Sequence, residues 1–135
     1  LKEWVEEWQQ LGGYLDPEIT QSRFLEKGRA GVVKVTLFLI DFDICSLNVE
    51  ALAEFARRKI QAAGLPELFA LGIAFPKVYL RSSVVALGKV WSDKGGSSIP
   101  MLTGYASRGP GIALGNGEPE YCWPGDTRFL GVRYW

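Results

Sequence analysis

A chain of 135 residues is long enough for one domain with its own core, and 47% apolar with 22% charged residues is ordinary globular composition. Fifteen Lys and Arg balance fifteen Asp and Glu, which removes the electrostatic case for nucleic acid or an anionic membrane surface as a partner. Histidine is absent, so His-based triads, His-ligated metals and His proton relays are excluded, and no cofactor is expected.

In chain order, Leu1, Trp4, Val5, Trp8 and Leu11 recur at helical spacing, with Glu3, Glu6, Glu7 and Gln10 on the other face. That pattern predicts an amphipathic helix that stops at Gly12-Gly13. Asp16-Pro17 signals a turn, Ile19 to Glu26 a strand and Lys27-Gly28 a hairpin turn. Val32 to Phe42 is β-branched and aromatic. Val33, Val35, Leu37 and Leu39 form one face, and Val32, Lys34, Thr36, Phe38, Ile40 and Phe42 the other. Apolar residues on both faces beyond Thr36 predict a central strand covered on both sides.

Ser46 or Asn48 caps the next helix, expected to run to Ala63 with Val49, Leu52, Ala53, Ala56, Ile60 and Ala63 as its buried stripe. Glu54 and Arg58 fall on its exposed side, four residues apart, and Gly64 and Pro66 end it. Pro66 to Leu71 adds a short helical piece closed by Gly72. Lys77 to Trp91 reads as a strand, broken or bulged at Ser82-Ser83. Asp93 to Ser98 is a polar turn, and Ile99 to Ala106 is the strand after it. The nineteen residues from Arg108 to Asp126 hold five glycines and three prolines, a density that predicts an irregular loop, with Gly115-Asn116-Gly117 able to turn a short hairpin. Thr127 to Trp135 alternates as a closing strand. This order predicts a single α+β domain over 1–135. Its mainly antiparallel sheet, of about five or six strands, packs against one long helix plus an N-terminal amphipathic helix.

Chemistry is sparse. Asp41 and Asp43 stand two apart at the end of an apolar strand, a spacing that puts both on one face. The segment Phe38-Leu39-Ile40-Asp41-Phe42-Asp43 resembles the first motif of haloacid-dehalogenase-like phosphatases, where the resemblance implies a nucleophile at Asp41 and an acid/base at Asp43. It covers about six residues and departs at Ile44-Cys45, and no second acidic cluster follows. Arg108-Gly109-Pro110-Gly111 lacks the spaced glycines and Lys-Ser/Thr of a phosphate-binding loop. Serines and cysteines are present without a histidine to activate them. Aromatic distribution says more: six of the ten Trp and Tyr residues lie in the last 45 positions, in company with Glu118, Glu120 and Asp126. Flat rings beside carboxylates attract cations.

The expected site therefore combines Trp91, Tyr105, Glu118, Glu120, Tyr121, Trp123, Asp41 and Asp43. The leading expectation is non-catalytic binding of a flat or cationic small organic molecule in an aromatic pocket. The alternatives are a carboxylate-dependent enzyme using Asp41 and Asp43, or a structural homodimer with an aromatic interface. Cys45 and Cys122 lie 77 positions apart and read as two reduced, mostly buried thiols, with a long-range disulfide as the other option. With no signal-peptide pattern and no membrane-length apolar run, the expected location is cytoplasmic.

Overall fold

The computed structural model describes residues 2–19, 35–75, 77–80, 82–104 and 109–134. Helix α1 spans Lys2–Gln10, and Gly12, at φ +79°, turns the chain out of it as expected. A two-residue strand β1 (Tyr14–Leu15) precedes a turn in which Asp16 Oδ1 accepts the Glu18 amide at 2.9 Å. The expected strand over 19–26 and the Lys27-Gly28 turn lie outside the described residues, apart from the buried Ile19.

Strand β2 (Val35–Ile40) is followed by β3 (Ser46–Leu47), α2 (Asn48–Arg57), β4 (Gln61–Ala62) and α3 (Leu65–Ala74). A 3₁₀ turn at Val78–Leu80 leads to β5 (Val84–Val85), β6 (Trp91–Asp93), β7 (Gly96–Gly104) and β8 (Pro110–Asn116). The short β9 (Cys122–Trp123) and β10 (Arg128–Tyr134) complete the regular structure of the described residues.

Eight of these strands form one mixed sheet in the order β1-β8-β7-β5-β10-β2, with β4 also on β10 and β6 also on β7; β3 and β9 pair separately. The β1–β8 and β5–β10 pairs are parallel. This corrects the α+β expectation of a mainly antiparallel sheet against one long helix: the sheet is mixed and the described helices are three and short.

Two features explain the difference. First, α2 ends ten residues after it starts, because Lys59 adopts φ +58°. The Ile60 amide then bonds the Phe55 carbonyl at 3.0 Å and the Lys59 amide the Ala56 carbonyl at 3.1 Å, a left-handed helix end normally given to glycine. Ile60 and Ala63 are buried as expected, but beyond the helix: β4 between them pairs with β10, and the Ala63 amide bonds the Leu130 carbonyl. Second, the glycine-rich segment after Arg108 contains β8, paired with β7 along its whole length from Ser98↔Asn116 to Gly104↔Pro110. Its glycines thin the sheet for a bulky neighbour: a Cβ on Gly115 would stand 2.9 Å from both the Trp123 ring and the Met101 sulfur.

The middle of the sheet is covered on both faces. Strand β2, expected to be central, is instead the last in the sheet order, and of its residues only Ile40 is buried. On one face α1 and α3 contribute Trp8, Leu65, Leu68 and Phe69, packed on Val84, Leu102, Ile112, Leu130 and Val132. On the other α2 contributes Ala51 and Phe55, packed with Ile40, Val85, Ile99, Trp123 and Phe129. The strand phases agree with the sequence: Val35 and Leu37 pack on the first cluster, and Phe38, Ile40 and Phe42 on the second. The phase of α2 does not. Its buried residues are Asn48, Ala51 and Phe55, while Val49 and Leu52 of the expected stripe are 46% and 41% exposed. The missing side chain of Gly131 decides this, because a Cβ there would lie 2.7 Å from the Phe55 ring that occupies the sheet face. The Glu54–Arg58 pair forms as expected at 3.4 Å and is joined by Arg57. Among the described residues no helix is long and apolar enough to cross a membrane.

Candidate functional site

Six of the eight expected site residues fall on two segments that the fold brings side by side. The first runs from Asp41 into the start of α2. The second is the connection from β8 through β9 to β10. They are joined by the pairings Ser46↔Trp123 and Leu47↔Cys122. The Val49 amide bonds the Pro119 carbonyl at 2.9 Å, and the Asn48 amide bonds the Tyr121 carbonyl at 3.3 Å. Cys45 and Cys122 are linked by a disulfide with their Cα atoms 5.8 Å apart, and both are exposed. The expectation of reduced, buried thiols is thus overturned in favour of the long-range bridge. The pairing was invisible locally, because the 77 intervening residues say nothing about which strand end meets which.

Asn48 is the centre of the junction and is 2% exposed. Its Oδ1 accepts the Trp123 indole N–H at 2.6 Å, and its Nδ2 donates to the carbonyls of Asn116 at 3.0 Å and Glu118 at 2.8 Å. All of its side-chain polar atoms are used, so the loops are held without an orphaned group. We expect Asn48→Ala to cost roughly 2–3 kcal/mol, since it strands a buried indole donor and two carbonyls at once. Urea unfolding measures this, and a loss under about 1 kcal/mol would show that water replaces the amide. By its local sequence Asn48 is only a cap candidate; its burial depends on Trp123, 75 residues away.

Trp123 itself is 6% exposed, inside the second core cluster, so it supports the surface from beneath. Tyr121 stands on it edge to face, with ring centres 4.8 Å apart and planes at 76°, and is 36% exposed. Glu118 and Glu120 are exposed; Glu118 Oε1 accepts the Ser97 amide at 3.0 Å. Asp41 is half-buried just past the end of β2. Asp43 is exposed at φ +58°, which breaks the strand alternation expected to put the two carboxylates on one face. Gly125 packs against this bend, with a Cβ there falling 2.8 Å from the Asp43 carbonyl carbon, so Asp126 is adjacent in the chain to that contact.

Trp91 stands apart. It is half-buried against the first core cluster, on the other face from Trp123, with its indole N–H 3.4 Å from Asp93 Oδ2. Tyr105 lies outside the described residues.

Charge separates this surface from the rest of a neutral chain. Residues 41–50 and 109–127 carry Asp41, Asp43, Glu50, Glu118, Glu120 and Asp126, and no Lys or Arg. Glu50 also accepts the Leu47 amide at 2.8 Å at the start of α2. Around these groups Ile44 is 69% exposed.

Of two concavities, one lies away from these segments and one borders the first of them. An open apolar groove of about 680 Å³ runs between Leu37 and Leu39 of β2 and Leu71, Ala74 and Phe75 at the end of α3, with Lys77 and Val78 closing it. A shallower depression of about 350 Å³ lies by Phe42 and α2. Glu50 lies on its wall, and the hydrogen bonds from Arg57 hold the Glu54 carboxyl below the usual carboxylate range, so two carboxylates stand there with one guanidinium. Among the described residues no group of three or more Cys, Asp or Glu is arranged to hold a metal ion. Comparison with protein-family models, curated proteins and solved structures found no match.

Proposed function

We propose that this chain is a non-catalytic binding domain whose ligand surface is the disulfide-tied pair of segments at 41–50 and 117–126, and whose ligand is a planar organic cation. The observation that carries this reading is the charge asymmetry: six carboxylates and no Lys or Arg within two joined segments that also carry an exposed tyrosine. A carboxylate-lined surface concentrates cations, and a ring adds roughly 0.5–2 kcal/mol when a cation lies over it. The Asn48–Trp123 junction supports the reading by holding Tyr121 on a rigid base.

The test is a titration with a planar cation and its neutral isostere, followed by amide chemical shifts. Asp43→Asn with Glu120→Gln is the informative variant, because asparagine tolerates the left-handed backbone at 43. Binding of the cation is expected to weaken about three- to tenfold in low salt and much less in high salt, as exposed charge pairs are worth under about 1 kcal/mol each and are screened. Equal affinity for cation and isostere overturns the proposal. A homodimer seam is the second reading, favoured by the exposed Ile44, Val49 and Leu52 beside this surface. Sedimentation equilibrium decides it: a dimer that Ile44→Glu dissociates would replace the cation reading.

A further inference from the structure

The groove between β2 and α3 is unrelated to the acidic surface. It opens on the side of the sheet that carries α1 and α3, while α2 covers the other. Its volume of about 680 Å³ falls within the range of small-molecule sites, roughly 300–1,000 Å³. Its walls are aliphatic apart from one phenyl ring, and Phe75 is 62% and Leu39 38% exposed, so apolar surface is left facing water. The charge is one-sided: Lys77 is the only charged residue among the described lining residues, and it is exposed. Apolar walls would hold a hydrocarbon body, and a lone cation beside them complements a single negative head.

We propose that this groove binds a single-chain aliphatic carboxylate, with the chain lying along Leu37, Leu39, Leu71 and Phe75 and the head group at Lys77. Association needs no covalent step and no cofactor. Affinity should rise with chain length until the groove is full, by about fourfold per added methylene, and should exceed that of the matching alcohol only where Lys77 is charged.

Calorimetric titration with octanoate, decanoate and dodecanoate, below their micelle-forming concentrations, is the direct experiment, run beside decanol and decyltrimethylammonium. Decanoate is expected to bind three- to tenfold more tightly than decanol in low salt, and the ammonium most weakly. Lys77→Met keeps the apolar stem and the fold, since the residue is exposed, and should erase the difference between acid and alcohol while leaving decanol unchanged. Ala74→Trp should block all five ligands. The proposal is overturned if acid and alcohol bind alike or if Lys77→Met leaves the preference intact. A dimer that buries Phe75 and excludes every ligand also overturns it.

Discussion

Trp8→Ala is expected to lower unfolding free energy by roughly 3–5 kcal/mol, the scale for emptying a fully buried aromatic site. Trp8 is completely buried, its indole N–H donates to the Tyr14 carbonyl at 2.7 Å, and its ring meets Phe69 edge to face with centres 6.5 Å apart. Two glycines make room for it. Gly13 lies against the indole itself, and a Cβ on Gly72 of α3 would come within 2.7 Å of the ring. Trp8 is therefore the side chain that fastens α1 to α3 and orders the turn into β1.

Urea unfolding of Trp8→Ala, Gly72→Ala and the double variant forms a cycle with a definite sign. Gly72→Ala should destabilise the parent protein and cost much less once the indole is gone. A loss below about 1 kcal/mol for Trp8→Ala would mean that α1 is peripheral to the fold.

Removing the disulfide is the second large effect. Cross-linking residues 77 apart restricts the unfolded chain by about 4 kcal/mol on the loop-entropy model. For a domain whose total stability is of order 5–15 kcal/mol, that is a large share. Cys45→Ser with Cys122→Ser should therefore fall by about 4 kcal/mol in oxidising buffer. The parent protein should fall to the same level in dithiothreitol, and the double variant should be insensitive to the reductant. Identical stability of parent and variant without reductant would show that the thiols are not joined in solution. The loss should be felt first at the candidate ligand surface, because the bridge ties Cys45 to Cys122 beside the β3–β9 pair. Amide exchange at residues 43–49 and 118–123 would rise before exchange in β10.

The composition of the candidate surface is legible in the sequence, in the carboxylates at 41, 43, 118 and 120 and the tyrosine at 121. Their adjacency was not, because it depends on a two-residue strand pair and a bridge between positions distant in the chain. Trp91 shows the converse. It is a tryptophan like Trp123 but packs on the opposite sheet face, because its pairing with Ser98 of β7 fixes the face its ring reaches.

What the residues determined by themselves is the set of elements whose burial repeats along the chain. Helix α1 stops before Gly12, and β10 alternates Leu130, Val132 and Tyr134 against Phe129, because each phase is written in neighbouring side chains. Tertiary contact decided the rest. The end of α2 at Lys59 depends on Ile60 and Ala63 docking at β10, and its rotation on the space over Gly131. The strand at β8 depends on β7 for its partners and on Trp123 for the use of its glycines. In each case a local preference worth under about 1 kcal/mol per residue gave way to buried contacts with distant chain worth several times that.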